Sequence, residues 1–139
     1  MRLALQALFT AILFAIAPAA FAQSATATTA AVTEQRATVL SFESEDQLNG
    51  LAAKGKTVVF FFASWCPNCR ATVAELNERW SEVNPDLTLV IADYDKETAL
   101  KGKFGVTYQD TFVLLDAAGT GIKIWNAGGV DGLNENSRS

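Results

Sequence analysis

The chain has no histidine, one methionine (Met1), two cysteines and three prolines among 139 residues. With no imidazole to draw on, one copy cannot assemble a four-ligand structural zinc site, because two thiolates leave two positions unfilled. A copper carrier would want a histidine or methionine beside its cysteines, and neither is at hand. Basic residues are also scarce, 11 Lys and Arg against 15 Asp and Glu. No run of them could track a phosphate backbone, which argues against nucleic acid as a partner. No phosphate-binding glycine loop, serine triad or pair of catalytic carboxylates stands in a supporting context, and Asp93 and Asp95 read as a strand end and a helix cap. No cofactor is expected.

The first 22 residues read as a targeting segment. Arg2 gives a short positive start, and Leu3 to Ala17 is apolar apart from Gln6 and Thr10. Pro18 follows, and Ala20-Phe21-Ala22 has the spacing of a peptidase site. Pro18 and the small residues suit cleavage after Ala22 better than a membrane anchor, so no stable membrane insertion is expected after cleavage. No cysteine lies in or just after this segment, which excludes a cysteine-linked lipid anchor. The expected location is periplasmic or secreted. Residues 23–36, rich in Ala and Thr and lacking an apolar period, read as a flexible leader. Residues 37–139 read as one domain.

The stretch that organises this domain is Val58-Val59-Phe60-Phe61-Phe62-Ala63-Ser64-Trp65-Cys66-Pro67-Asn68-Cys69-Arg70. Its apolar run reads as a strand buried on both faces. The strand ends in a turn that delivers two cysteines, spaced C-x-x-C, onto the start of a helical pattern. A thiol there faces unsatisfied backbone N–H groups and the positive end of the helix dipole. Both favour the thiolate, the nucleophile of disulfide exchange. A purely structural disulfide would close a loop of about four residues, worth only roughly 2 kcal/mol. The pair therefore reads as redox-active, with Cys66 at the exposed tip and Cys69 on the same helix face.

Around it, Ala37 to Phe42 reads as an edge strand, and Ser44 as the N-cap of a short helix with Leu48, Leu51 and Ala52 as its apolar stripe. After the cysteines, Val73, Leu76 and Trp80 recur at helical spacing as core, while Glu75, Glu78, Arg79 and Glu82 mark a wet face. Asn84-Pro85-Asp86 breaks that helix and Leu87 to Ala92 is a second buried strand. Asp95 is expected to cap a short helix ended by Gly105. Thr111 to Asp116 and Ile122 to Asn126 read as an antiparallel hairpin. A short or absent last helix from Gly128 would leave one sheet face thinly covered, an apolar patch open to a partner.

Phe61 to Arg70 (F-F-A-S-W-C-P-N-C-R), Val90 to Asp95, Phe104-Gly105-Val106 and Thr111 to Asp116 together resemble the thioredoxin superfamily, over roughly residues 37 to 130. The resemblance implies an α/β thioredoxin-like fold, a central mixed β-sheet flanked by helices with a short or incomplete C-terminal helix. It implies an exported thiol–disulfide oxidoreductase in which Cys66 attacks and Cys69 resolves. Protein disulfides or dithiols would be its substrates, and a membrane electron carrier its recycling partner. Trp65 would shield the thiol and line the substrate groove, Pro67 would fix the first helical turn, and Asn68 would tune the potential. Two positions depart from the family. Its buried strand acid falls on Phe60, and its cis-proline, just before Thr111, falls on Asp110. Asp110 is expected to lie near the thiols and take over proton handling. Exposed cysteines also leave an alternative, two chains supplying four thiolates to a metal or iron–sulfur centre.

Overall fold

The computed structural model describes residues 35–138. The signal peptide assigned to residues 1–22, and all but the last two residues of the leader, lie outside that range. Ten elements follow in order: β1 (Thr38–Ser41), α1 (Glu45–Ala52), β2 (Lys56–Phe62), α2 (Pro67–Arg79), a 3₁₀ turn (Trp80–Glu82), β3 (Leu87–Asp93), α3 (Thr98–Phe104), β4 (Thr111–Leu115), β5 (Gly121–Asn126) and α4 (Gly129–Asn136).

The strands form one sheet in the order β1-β3-β2-β4-β5. β1 and β2 both run parallel to β3, while β4 runs antiparallel to β2 and to β5. This is the mixed sheet expected, with β1 at one edge. β2 is central and buried on both faces because side chains alternate across a strand. Val59 and Phe61 enter a cluster with Leu48 and Ala52 of α1 and Leu100 and Phe104 of α3. Val58 and Phe60 enter the opposite cluster with Leu76 of α2 and Val130 and Leu133 of α4. Phe60 stacks on Phe112 at 4.4 Å between centroids, and Phe112 on Trp125 at 5.4 Å, making a three-ring column under α2 and α4.

Two expectations are corrected here. α4 is short but does cover its face, since Val130 and Leu133 are fully buried. Its N-terminus is held by a residue assigned to the wet face, for the Val130 N–H donates to Glu75 Oε1 at 3.2 Å. Arg79 reinforces the seat, pairing at once with Glu75, Glu82 and Asp131 at 2.7, 2.7 and 2.9 Å. The second correction concerns α3. Asp93, at the end of β3, accepts the N–H groups of Asp95 and Lys96 at 3.0 and 3.2 Å. The helix starts later, behind Glu97, with no side-chain cap. Gly105 does end it, in the left-handed conformation at φ +69°.

β2 thus delivers its carboxyl end between β3 and β4, where the chain turns into α2. Open α/β sheets place their sites at such a switch point.

Candidate active site

Cys66 is the N-cap of α2, with φ −76° and ψ 121°, and its sulfur accepts the N–H of Cys69 at 3.4 Å. Pro67 occupies the first helical position, where its missing N–H has no intrahelical partner to lose. The turn before it is set by the Cys66 N–H on the Ala63 carbonyl at 3.1 Å. Arg70 clamps the same turn, its guanidinium donating to the Ser64 and Trp65 carbonyls at 3.2 and 3.4 Å. Both cysteines are free.

The two thiols lie in different surroundings. The sequence places Cys66 at an exposed tip, but the turn folds over it: it is only 3% exposed, and Cys69 not at all. Burial pushes the Cys66 thiol up, but the N–H and thiol of Cys69, the N–H of Asn68 and the side chain of Gln109 outweigh it and hold it below its ordinary value. Burial pushes Cys69 up to about 11; the N–H of Ala63 opposes this, and the charges of Cys66 and Asp110 add to it. That N–H donates to Cys69 Sγ at 3.4 Å. The sequence already sets Cys66 apart from Cys69; the structure supplies the physical cause, one sulfur capping the helix and the other accepting only the Ala63 N–H with none of its surface exposed.

Trp65 is 55% exposed, and its indole N–H donates to Asp95 Oδ2 at 2.8 Å, the interaction that Asp95 makes instead of capping α3. Phe62 and Tyr94 are the rings that pack against Ala63, Cys66 and Cys69. Tyr94 is fixed by its hydroxyl on the Thr107 carbonyl at 2.9 Å. Asn68 is exposed and acts on Cys66 through its backbone N–H.

Asp110 lies within electrostatic reach of Cys69. It is 2% exposed and sits at φ +59°, a conformation closed to proline and uncommon for any residue with a Cβ. Its N–H donates to the Phe61 carbonyl at 3.0 Å, and its carbonyl accepts the Ala127 N–H at 2.9 Å. Burial raises the Asp110 carboxyl above the usual carboxylate range, and a hydrogen bond with the Thr72 side chain opposes the rise. Carboxyl Oδ1 has no hydrogen-bond partner among the described residues. Thr111 faces the loop rather than the sulfurs, its hydroxyl donating to the Tyr108 carbonyl at 2.8 Å.

Sequence reasoning passed over Gln109, Thr72, Arg70 and Asn126. Asn126 Nδ2 spans the Gln109 carbonyl, the Asp110 carbonyl and Thr111 Oγ1 at 2.8, 3.0 and 3.1 Å, tying the Asp110 loop to β5. No local signal marks such a residue, because its partners lie 15 to 17 positions away.

Among the described residues no group of three or more Cys, Asp or Glu could hold a metal ion, so the alternative of a metal or iron–sulfur centre gains no support. No helix of these residues is long and apolar enough to cross a membrane.

Comparison with known proteins agrees with the geometry. A thioredoxin of Aspergillus fumigatus is 37% identical over 67 residues, covering 46% of this chain and 58% of its own. Thioredoxin 2 of Plasmodium falciparum is 32% identical over 69 residues, covering 49% and 44%. The chain thus spans about half the length of these relatives. Among solved structures, a thioredoxin from Malassezia sympodialis superposes with a TM-score of 0.61 at 18% identity, over 75% of this chain and 95% of that one. Trxlp from Edwardsiella tarda gives 0.54 at 23% identity, over 64% and 86%. These structures share the fold. The thioredoxin family model matches residues 37–136, and the chain belongs to the thioredoxin family.

Proposed function

We propose that this protein is an exported thiol–disulfide oxidoreductase acting on protein disulfides. The observation that carries the reading is the split between its two thiols. One sulfur caps a helix and is held toward the thiolate, while the other is buried and held as the thiol. The Cys66 thiolate attacks a substrate disulfide, forming a mixed disulfide and releasing the first substrate thiol. Cys69 then attacks Cys66 Sγ, closing the Cys66–Cys69 disulfide and releasing the second. Run backwards, the same steps donate a disulfide. We favour the reducing direction, with a membrane electron carrier restoring the dithiol in the periplasm or outside the cell. The apolar segment before Ala22 supports export, and the thioredoxin relatives support the exchange chemistry.

The test is the reduction potential of the Cys66–Cys69 pair, by equilibration of the protein against a thiol/disulfide buffer. A value near about −270 mV is expected for a reductant, and one near about −120 mV would reverse the direction to disulfide donor. Failure to titrate as a two-electron couple would sink the exchange reading altogether. Export predicts that the chain recovered outside the cytoplasm begins at Gln23.

A further inference from the structure

Arg70 follows the second cysteine, and the structure holds its guanidinium one peptide unit from the first. Its backbone N–H donates to the Cys66 carbonyl at 3.2 Å, so the side chain leaves α2 within one turn of the nucleophile. Nη1 donates to the Ser64 and Trp65 carbonyls at 3.2 and 3.4 Å. The second of these carbonyls belongs to the peptide group that ends at the Cys66 nitrogen. Both bonds leave from a single nitrogen of the fork. Nε and Nη2 form its other edge, whose two parallel N–H bonds match a carboxylate, and neither has a partner among the described residues. Arg79 is the contrast, its guanidinium taken up by Glu75, Glu82 and Asp131. Asp95 and Lys96, which Trp65 brings to the same turn, are engaged elsewhere. Asp95 Oδ2 takes the Trp65 indole N–H at 2.8 Å, and Lys96 pairs with Asp93 at 2.9 Å. Arg70 is exposed, as are Trp65, Pro67 and Asn68 beside it, so an incoming chain meets an anchored cation with one edge open.

We propose that Arg70 selects the substrate, favouring a disulfide whose cysteine has an acidic residue beside it in the chain. The carboxylate docks on Nε and Nη2 while Cys66 Sγ meets the disulfide. The inference rests on the exchange reading above and adds to it the class of protein disulfide that reacts fastest. The bonds to the turn order the guanidinium before substrate arrives. The ordering cost that weakens most exposed ion pairs is therefore reduced. The rest of the molecule works the other way. With a net charge of −4 it repels acidic chains at long range, so a preference for acid can come only from a local cation.

The experiment follows thiol release when the reduced protein meets three peptide disulfides that differ only in the residue on each side of the cysteine, Glu, Gln or Lys. Each rate is divided by that of the same peptide with dithiothreitol, a neutral dithiol, which removes differences in the peptides' own reactivity. At low salt the Glu peptide is expected to react about three- to fivefold faster than the Gln peptide, the upper end of what exposed ion pairs contribute. The gap should close toward about 1 M salt, where the screening length is about 3 Å. In Arg70→Gln the ratio of Glu to Gln rates should fall to about one or below, since only the long-range repulsion remains. Taking the ratio within one variant cancels any change that loss of the clamp makes to Cys66 itself. Arg70→Lys, which keeps the charge and lacks the fork, should hold a smaller preference. Equal rates in the wild type, a Lys peptide that reacts fastest, or a Glu preference that survives in Arg70→Gln overturns the inference and leaves the exchange reading standing. If none of the three peptides is reduced, the exchange reading falls and this inference with it.

Discussion

The division of labour between Cys66 and Cys69 can be measured without any substrate, by alkylating the reduced protein with iodoacetamide and mapping the label by mass. With its thiol at about 11, Cys69 has roughly one molecule in a thousand as thiolate at about pH 8. Cys66, held below its ordinary value, has at least about one in ten. The populations therefore differ at least about a hundredfold. A more basic thiolate is intrinsically the better nucleophile, and a Brønsted slope of about 0.4–0.5 over about two pK units returns roughly a factor of ten to Cys69. The net preference for Cys66 is at least about tenfold, before access is counted. Access widens it, because Cys69 exposes none of its surface. The midpoint of the Cys66 rate should fall below that of an ordinary thiol, while Cys69 stays unlabelled until the chain opens. Comparable labelling of the two, or a Cys66 midpoint at or above the ordinary thiol value, would refute the division and the account of Cys66 as a thiolate-stabilising cap.

Gly129 sits at φ +53° at the start of α4, and a Cβ there would strike the Glu75 carboxylate. Gly129→Ala should cost about 1–2 kcal/mol through the left-handed backbone and about 1 kcal/mol more through the displaced helix cap. The cost would read as a lower urea midpoint with the slope retained, and an unshifted midpoint would refute the seat described for α4. The Asp110 carboxyl lies above its unfolded value because of burial, so the native state holds the proton more tightly than the unfolded chain. Its contribution to stability is full below the ordinary carboxylate pKa of about 3.9 and is lost as pH rises through the folded value. Thermal unfolding of the reduced protein should show Asp110→Asn gaining on wild type across that window and staying ahead above it. Comparing the two cancels the opposite slope from Glu82, Asp93 and Asp131, whose carboxyls lie below their ordinary range because Arg79 or Lys96 bonds them. A difference that is flat with pH would show that Asp110 is not desolvated as described.

The fold was legible where the signal is local. The apolar run of β2, the C-x-x-C turn and Pro67 specify strand, turn and helix from neighbouring residues alone, and Gly105 marks its helix end for the same reason. What misled was polar chemistry acting across the chain. Glu75 falls on the solvent side of α2 by periodicity, yet its carboxylate meets an N–H 55 residues on. Asp95 looks like a cap, but Asp93, two residues earlier, takes the N–H groups of that turn, and Asp95 is left for an indole 30 residues back. The indole is that of Trp65, which the family likeness sets beside the thiols, and no local pattern announces its bond to Asp95. At the site, the two sulfurs could be read in advance from the C-x-x-C spacing. The burial of Asp110, its left-handed backbone and the Asn126 tether could not, since they come from the meeting of β2, α2 and β5.

The column formed by Phe60, Phe112 and Trp125 has a consequence for how this protein can change over time. An ionisable group in the middle of a sheet ties two requirements to one position, because any neighbour that improves packing also alters the charge's environment. Here the middle of β2 is hydrocarbon and aromatic ring from Val58 to Phe62, and the buried acid Asp110 lies in the loop before β4. Substitutions in the column can drift toward tighter packing or a higher melting temperature with little effect on the sulfurs. The loop from Tyr108 to Thr111 can vary its chemistry while the sheet stays as it is. Selection acting on robustness and selection acting on redox behaviour therefore meet different residues.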